Sequence, residues 1–481
     1  MAYASLGEFI SRLEGAGELL RVKAHLSSEF ELTEICDRVC KGASGNRALL
    51  FENVDDGRFP VLMNAFGSMK RMAWALGVED VEEIASRIRE IIASVPPEGL
   101  VDKAKLLLKL YEMSKYPPHT AGNGPVKDVI ESKPDLSKLP ILKCWPGDGG
   151  RFITLPCVFT KDTGGRRNVG MYRMQVYDST TTGMHWHLHK GGRRHLLEYM
   201  EKRERMEVAV SLGGDPAVTY AATAPLPDGF DEMLFAGFLR HKGVELVKCE
   251  TVDLEVPADA EFVLEGFIDP AELRCEGPFG DHTGFYSLED DYPVFHLTCI
   301  TRRKDAIYPA TIVGKPPMED CYMGKATERI FLPLIQLQLP ELLDINLPIE
   351  GVFHNLCFVR IRKTYPGQAR KVMHALWGMG QMMFTKVMAV FDEDVDVQDI
   401  SEVLWRLGNN ISPERDLEIV HGPLDALDHA SPTPHYGAKL GIDATVKWPE
   451  EGHPRRWPDL IVMDAKVKRK IDALWGELGI G

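Results

Sequence analysis

The part of the chain that most restricts the fold is the stretch from about residue 126 to residue 310, where short apolar runs alternate with Gly, Pro and Asp turns. The runs are rich in β-branched and aromatic residues, which favour strands. Several strands at such short spacing predict a barrel or sandwich at the centre of the chain. The six runs are RFITLPCVFT, NVGMYRMQVY, MEVAVSL, VELVKCETVDLEVP, EFVLEGFI and YPVFHLTCITRR.

The region before this stretch has helical periodicity. Apolar side chains repeat at helical spacing in residues 5–15 and 80–95, which predicts two helices that each bury one face. Proline-rich breaker clusters at 96–97 and 116–125 close the region. The predicted inward faces consist of Leu6, Phe9, Ile10 and Leu13 in the first helix and Val81, Ile84, Ile88, Ile91 and Ile92 in the second.

After about residue 325 strands alternate with helices, which favours a second, mixed or parallel sheet. VFHNLCFVRIRK and TKVMAVFDEDVD are predicted strands, and QARKVMHALWGM and SEVLWRLGNNI are predicted helices. The segment DAKVKRKIDALWGELG predicts an amphipathic helix that docks on a partner or packs within the chain. Its apolar face consists of Ile471, Leu474, Trp475 and Leu478.

Composition narrows the class of protein. A length of 481 residues predicts two to four domains. The net charge of -15 argues against nucleic acid and anionic lipid as main partners. The nine cysteines are scattered without a CxxC pair, which favours free thiols in a reducing compartment. With neither a secretory signal nor a stretch of about 18 apolar residues, we expect a cytoplasmic protein without a membrane span.

Common nucleotide and hydrolase motifs are missing from the sequence. There is no GxGxxG after a strand, no GxxxxGK[ST], no HExxH and no GxSxG. The acids Asp392, Asp394 and Asp396 imitate the start of a calcium loop, but Val397 and Val403 stand where that loop needs Gly and Glu. We therefore interpret this run as a solvated strand end.

The densest polar segment is 164–195. His185, His187 and His189 alternate with apolar residues, and period two places them on one face of a strand. Arg173 precedes them in a strand-like run. Two interpretations stay open here: a solvent-facing polar edge, or a site for a metal and an anion together.

A second polar cluster, RCEGPFGDHTGFY, occupies residues 274–286. Glu276 and Asp281 flank a Gly-Pro-Phe-Gly turn, which could aim both carboxylates into one cavity. A nearby Arg173 would keep one carboxylate ionised and leave the other free to carry a proton as a general acid. The alternative is an acidic surface turn. Glu232, considered alone, looks like an ordinary acid at a helix N-terminus.

The order and wording of five segments resemble the UbiD family of prenylated-flavin-dependent decarboxylases over essentially the whole chain. The segments are N-x-G-x-Y-R-x-Q at 168–175, W-x-x-H-[KR]-G-G at 186–192, D-E-x-x-F-A-G at 231–237, E-G-P-[FY]-G-D-H-T-G at 276–284 and G-x-D-A-T-x-K-W-P at 441–449. The linking phrases at 247–266 and 305–317 are similar too.

The resemblance implies an α/β fold of α+β multi-domain type with three parts. They are an N-terminal α+β region at 1–120, a central split β-barrel that binds the flavin at 121–315, and a C-terminal α/β domain for oligomerisation at 316–481. It also implies a homo-oligomer, either a dimer or a hexamer.

The resemblance further implies a cofactor site. Asn168, His189 and Glu232 match the family's ligands for a divalent metal, Mn²⁺ or Mg²⁺, that holds the phosphate of prenylated FMN, and a K⁺ ion lies near that phosphate. Amide oxygen, imidazole and carboxylate suit these metals. The other positions implied to bind the cofactor are Met171, Tyr172, Arg173, His185, Trp186, His187, Lys190 and Gly191.

The implied catalytic set is Arg173, Glu276 and Asp281. Loss of CO₂ from an sp² carbon leaves an electron pair that no side chain can delocalise, so a cofactor must supply the electron sink. Arg173 would bind the substrate carboxylate, Glu276 would tune Arg173, and Asp281 would protonate the carbon.

The expected activity is therefore reversible, non-oxidative decarboxylation of an aromatic or α,β-unsaturated acid. Quinone precursors, such as a hydroxybenzoate or a naphthoate, are the leading substrates, and a flavin prenyltransferase would supply the cofactor. A carboxylase subunit in aromatic catabolism is the alternative among enzymes. An inactive flavin-binding scaffold is the alternative outside them, although an inactive homologue would be expected to lose at least one of Arg173, Glu276 and Asp281.

Overall fold

The structure is a computed structural model, and it describes residues 2–42, 45–93, 111, 113–187 and 191–480. It is a mixed α/β protein built around three larger sheets, which follow one another along the chain. This confirms the predicted fold class.

The N-terminal part packs helices on a small sheet with the order β1-β2-β3-β16. The predicted face of α1 is buried as expected, and Ser5 caps its first turn. In the second predicted helix only Val81 and Ile84 are fully buried, while Ile88, Ile91 and Ile92 are half-buried. The elements are α1 (Leu6–Gly15), β1 (Leu19–Leu26), α2 (Glu31–Lys41), β2 (Ala48–Val54), β3 (Val61–Met63), α3 (Met69–Ala75) and α4 (Glu82–Ala93).

The central part is dominated by an antiparallel sheet with the order β10-β15-β14-β11-β7-β8, to which β5 adds beside β15. It occupies the place of the predicted split barrel. The strands of this part of the chain, including those of smaller sheets, are β4 (His119–Thr120), β5 (Val129–Glu131), β6 (Phe152–Ile153), β7 (Cys157–Lys161), β8 (Arg167–Met171), β9 (Met174–Gln175), β10 (Thr181–Gly183), β11 (Met206–Leu212), β12 (Glu245–Lys248), β13 (Glu255–Pro257), β14 (Phe262–Glu276), β15 (Asp290–Arg302) and β16 (Tyr308–Pro309). Its helices are α5 (Gly191–Lys202), α6 (Pro216–Ala221) and α7 (Glu232–Arg240).

The C-terminal unit, residues 319–480, forms a five-stranded sheet with the order β17-β18-β19-β21-β20. Strands β18, β19 and β21 are parallel, and the edge strands pair antiparallel, which confirms the predicted mixed sheet. The elements are α8 (Glu319–Gln338), β17 (Leu342–Asn346), β18 (Leu356–Ile361), α9 (Gln368–Trp377), β19 (Val387–Phe391), α10 (Ile400–Asn410), α11 (Pro413–Asp416), β20 (Leu417–Pro423), β21 (Tyr436–Asp443) and α12 (Ala465–Leu474).

The C-terminal unit rests on the central part at two places. Phe353, in the turn before β18, stacks on the His282 ring at 5.2 Å, and Phe285 contacts His429 in the loop between β20 and β21. Helix α8 joins the two parts, and Arg329 on it pairs with Glu82 of α4. These contacts bring C-terminal residues over the end of the central sheet.

Residues 458–480, which we call the C-terminal arm, lie on the outside of the molecule. All of them are exposed except Leu474, which is half-buried. Ile461 is 99% exposed and Trp475 is 51% exposed. The predicted amphipathic helix is present as α12, but its apolar face is not covered within the described chain.

Asp394 and Asp396 are exposed just after the end of β19, as expected of a solvated strand end, whereas Asp392 is half-buried. Asp392 accepts a hydrogen bond from Val446 N, and burial raises its pKa to about 6. Asp394 pairs with Arg406. Among the described residues, no helix has both the length and the apolar character to span a membrane.

Candidate active site

A cavity of about 620 Å³ lies between the central sheet and the C-terminal unit. Its volume is within the usual range for small-molecule and cofactor sites. The central part contributes the end of β8 and the residues that follow it, and the C-terminal unit contributes Phe353, Gln381 and Leu427. Of the predicted site residues, those that line the cavity are Asn168, Met171, Tyr172, Arg173, His185, His187, Gly191, Glu232 and Asp281.

Arg173 is held in one orientation by three acceptors. Its Nε donates to Glu276 Oε1 at 3.0 Å, its Nη1 donates to Asp281 Oδ2, and its Nη2 donates to Ser287 Oγ at 3.1 Å. The guanidinium also lies 4.6 Å above the Phe279 ring. These contacts use three of the five N–H groups, so two remain to bind an anion.

The turn between Glu276 and Asp281 aims both carboxylates at Arg173. Gly277 has φ +102, a left-handed conformation that favours glycine. Its N–H donates to Gln175 Oε1 at 2.7 Å, and Gly280 N donates to Asp148 Oδ1 at 2.8 Å. Both acids of the turn are buried. The alternative of an acidic surface turn is therefore wrong.

Both carboxylates beside Arg173 are ionised at neutral pH in this arrangement. Burial acts to raise the pKa of Glu276, but the His185 hydrogen bond and the Arg173 charge outweigh it and lower that pKa. Burial likewise opposes ionisation of Asp281, but His282 and Arg173 hold its pKa well below the usual range. The expectation that Arg173 leaves one carboxyl free to hold a proton is therefore wrong, because Arg173 donates to both.

The predicted strand through the histidines is also wrong, since β10 ends at Gly183 and the backbone beyond it makes no ladder in the described residues. Trp186 N donates to Met184 O at 2.8 Å, which closes a tight turn at His185, and the two imidazoles meet. His185 and His187 have Nε2 atoms 2.5 Å apart, and His185 Nδ1 lies 2.5 Å from Glu276 Oε2. His185 therefore links His187 to Glu276.

Asn168 and Glu232 lie side by side at the other end of the cavity. Glu232 opens α7 and accepts a hydrogen bond from Val169 N at 2.9 Å, which places it next to Asn168 on β8. Burial raises the pKa of Glu232 to about 7. The third predicted ligand, His189, and the predicted cofactor contact Lys190 lie outside the described residues. In the described part of the chain, no three His, Cys, Asp or Glu side chains converge as a metal site.

The same end suits a phosphate and a metal. Asn168 Nδ2 is buried without a hydrogen-bond partner among the described residues, and a Cβ on Gly191 would overlap Asn168 Oδ1. The backbone at the start of α5 therefore approaches Asn168 as closely as glycine allows. Three arginines line this end, and a helix N-terminus with basic side chains attracts anions. They are Arg166, Arg167 and Arg194.

Trp186 lies behind the cavity wall. It is buried, and its ring meets Tyr172 edge to face at 6.1 Å. Gly192 packs so closely on the Trp186 indole that a Cβ there would overlap it. Trp186 therefore supports Tyr172, which does line the cavity, instead of facing the cavity itself.

The predicted site residues do not include His282, Phe279 or the C-terminal residues of the cavity wall. His282 and Phe279 belong to the same conspicuous segment as Asp281, so their signal was available. Phe353, Gln381 and Leu427 had no such signal, since no local pattern connects them to residues far away in the chain.

Three family models match the chain. They are the N-terminal, Rift-related and C-terminal domains of 3-octaprenyl-4-hydroxybenzoate carboxy-lyase, designated UbiD_N, UbiD and UbiD_C, over residues 10–88, 119–316 and 321–444. An uncharacterized protein of Archaeoglobus fulgidus is 52% identical, with 99% of each chain covered.

Two solved structures are similar to this chain over almost its whole length. Vanillic acid decarboxylase of Sedimentibacter hydroxybenzoicus in its closed form matches with a TM-score of 0.86 at 26% identity, covering 100% of both chains. An evolved dimeric form of the UbiD-class enzyme HmfF from Pelotomaculum thermopropionicum, in complex with prFMN, matches with a TM-score of 0.79 at 28% identity, covering 98% of this chain and 100% of that one.

Proposed function

This chain belongs to the UbiD family of carboxy-lyases, and we propose that it catalyses the reversible, non-oxidative decarboxylation of an aromatic or α,β-unsaturated carboxylic acid with prenylated FMN. The observation that carries the proposal is Arg173, fixed between Glu276 and Asp281 at the wall of the cavity. A flavin site without catalysis would not need a buried guanidinium between two acids.

Arg173 binds the substrate carboxylate. Its two uncommitted N–H groups are on Nη1 and Nη2, the pair that forms a bidentate fork with a carboxylate. Glu276 holds the Nε side, so the guanidinium plane cannot rotate freely. His185 engages the second oxygen of Glu276, which keeps that carboxylate aligned with Arg173.

Asp281 delivers the proton that replaces CO₂. Its carboxylate lies beside Arg173, and therefore beside the carbon whose carboxylate Arg173 holds. The turn limits its movement, so proton transfer needs no large rearrangement. Prenylated FMN, when bound, supplies the electron sink that the carbon requires.

Asn168, His189 and Glu232 would hold Mn²⁺ or Mg²⁺ against the cofactor phosphate, with K⁺ nearby. The Asn168 amide and the adjacent Glu232 carboxylate support this assignment, because their oxygen atoms suit these metals, while Asn168 Nδ2, unpartnered among the described residues, can donate to the phosphate. The cofactor would run from this end toward Arg173, along Met171 and Tyr172.

Hydroxylated benzoic acids are the proposed substrates, with quinone precursors first among them. The support is the description of the matching family models, together with the vanillic acid decarboxylase among the structural relatives. His282 lines the cavity, and its Nε2, which has no partner among the described residues, offers a hydrogen bond to a ring hydroxyl.

The test is reconstitution. The chain is produced with and without a flavin prenyltransferase, and a panel of hydroxybenzoic, naphthoic and cinnamic-type acids is screened for CO₂ release. We expect release only with the prenyltransferase, and none from Arg173→Lys, which keeps the charge and loses the fork. Release at equal rates without prenylated flavin would refute the cofactor assignment.

We propose also that the protein is a cytoplasmic homo-oligomer. All nine cysteines are free, as is typical of reducing compartments. The exposed apolar face of α12 would be covered by a second copy of the chain. A dimeric form of HmfF among the relatives supports this.

A further inference from the structure

Three donors surround the carboxylate of Asp281, the group that must deliver the proton. Its Oδ2 accepts from Arg173 Nη1, and its Oδ1 accepts from both the backbone N and the ring Nδ1 of His282, each at 2.7 Å. A carboxylate with these three donors is stabilised in its ionised form. The proton must therefore come from a neighbour, and a proton on His282 Nδ1 is already directed at Oδ1.

His282 is placed to carry a positive charge away from water. Its ring is largely buried under the C-terminal unit, with Phe353 stacked on it at 5.2 Å and His354 at 5.3 Å. The groups that face it are Asp281 and, through it, Arg173 from the central part, Asp320 from the start of α8, His354 from the turn before β18, and Asp425 from the loop after β20.

The carboxylates among these groups favour the imidazolium. Burial acts to lower the pKa of His282, but the hydrogen bond and charge of Asp281, with further contributions from Asp320 and Asp425, raise it above its ordinary value. His282 Nε2 is buried with no hydrogen-bond partner among the described residues, so no second acceptor competes with Asp281 for the ring protons.

On the basis of the proposed function, we propose that His282 is a positioning residue that stores the proton used by Asp281. The Nδ1–H bond of the imidazolium breaks as an O–H bond forms on Asp281 Oδ1. That O–H bond then breaks as the C–H bond of the product forms, after the substrate has released CO₂. His282 is left neutral with its remaining proton on Nε2, and one solvent proton taken up at Nδ1 after product release restores the imidazolium beside ionised Asp281.

The variant that tests this step is His282→Asn. The Asn side chain can still donate a hydrogen bond to Asp281 Oδ1, so it preserves the orientation of the carboxylate, but it cannot hand over a proton. A residue that merely orients Asp281 would tolerate this change. His421→Asn is the matched control, because His421 stacks on Tyr436 at an exposed edge of the C-terminal sheet.

With reconstituted protein, we expect kcat of His282→Asn to fall about 10²-fold, the lower end for loss of an acid–base group. We expect KM to change by less than about threefold, since binding through Arg173 is unchanged. The wild-type decrease in kcat at alkaline pH, where His282 loses its proton, should be absent from the variant. Wild-type kcat in His282→Asn, with melting temperature and flavin content equal to the wild type, would overturn the proposal.

A second measurement requires no cofactor and no activity. Nitrogen-15 NMR of histidine-labelled protein follows each imidazole with pH, and the His282 signal is identified by its loss in His282→Asn. We expect His282 to remain an imidazolium above about pH 6.5, the ordinary histidine value, and to lose this property in Asp281→Asn. A neutral His282 below pH 7 would overturn the proposal, even if decarboxylation were confirmed. If the wild-type protein decarboxylates none of the substrate acids, the proposed function fails. The titration still tests whether Asp281 keeps His282 protonated.

Discussion

At Arg173 a single guanidinium connects segments that are far apart in the sequence: the end of β8, the turn at 276–281, and Ser287. Each carboxylate of the turn is buried, and each keeps its charge through Arg173 together with a histidine, His185 for Glu276 and His282 for Asp281. Removing one partner of a buried pair typically costs about 3–5 kcal/mol, since the other charge is left uncompensated. The catalytic arrangement and the local stability therefore depend on the same atoms.

Asp281→Asn should abolish turnover and leave the cofactor bound. Asn has nearly the same shape but cannot protonate carbon, and loss of a positioned general acid costs about 10²–10⁴ in rate. Asn168 and Glu232 lie at the opposite end of the cavity, so flavin absorbance should persist. The matched control is Asp291→Asn, an exposed acid on β15, which should retain wild-type CO₂ release. Full activity in Asp281→Asn would remove Asp281 from the mechanism.

The Asp281–His282 pair should also give the stability a defined pH dependence. The lowered pKa of Asp281 means that its contribution is present above the unfolded value of about 3.9 and lost as pH falls through its folded pKa. The raised pKa of His282 means that its contribution to the free energy of unfolding is complete below about pH 6.5, the unfolded value. That contribution is lost as pH rises through its folded pKa.

Wild type and Asp281→Asn should therefore differ most in free energy of unfolding between about pH 4 and pH 6.5. A difference of about 1.5–3 kcal/mol is expected there, as for a hydrogen bond to a charged group. Urea denaturation at pH 3.5, 5.5 and 8.5 measures it. A difference that increases steadily from pH 5.5 to pH 8.5 would contradict the assignment of charges.

At the scale of the element, the start of α5 depends on Gly191. A Cβ there would overlap Asn168 Oδ1, so Gly191→Ala must displace the Asn168 side chain. We expect weaker binding of metal and FMN, measured by calorimetry, with a melting temperature within a few degrees of the wild type. Gly408→Ala in α10 is the control, because nothing lies within 4 Å of that position. Unchanged binding in Gly191→Ala would argue against Asn168 as a ligand.

Local patterns account for the parts of the fold that the sequence predicts. The period of Leu6, Phe9, Ile10 and Leu13 predicts α1 because a surface helix buries one stripe. Alternation at His185 and His187 predicts a strand, but period two carries no information about a neighbouring strand. The strand prediction failed because the N–H groups of residues 184–186 donate to Pro293, Arg173 and Met184 instead of to one neighbouring strand.

Local patterns likewise predict some features of the site and not those that depend on contacts between distant segments. Glu276 and Asp281 are five residues apart, so a turn between them could be expected from Gly277 and Gly280. The covering of His282 by Phe353 could not be expected, because it depends on how α8 docks the C-terminal unit, and docking leaves no period in the sequence. The lowered pKa values of the acids were missed for a related reason, since they depend on contacts made by His185 and His282 as well as Arg173.

At the scale of the whole molecule, the C-terminal arm should control assembly. Removing residues 458–481 should give a truncated chain whose melting temperature is close to that of the full-length monomer, because the described residues of the arm are exposed. The oligomer should dissociate, as measured by light scattering after gel filtration. In the intact chain, Ile471→Glu should have the same effect, since it places a charge on the apolar face of α12, whereas Lys470→Glu should not. An unchanged mass for Ile471→Glu would show that the arm is not the interface.

Two parts of the chain, which have different roles, form the wall of the cavity. Phe353, Gln381 and Leu427 come from the C-terminal unit, while Arg173 and Asp281 come from the central part, where Glu276 holds Arg173. Selection for a new growth substrate can thus act on the first three positions while the last three stay under purifying selection. Homologues with different substrates can therefore keep the residues that carry out the reaction. A laboratory library restricted to residues 353, 381 and 427 would sample the same kind of change in substrate preference.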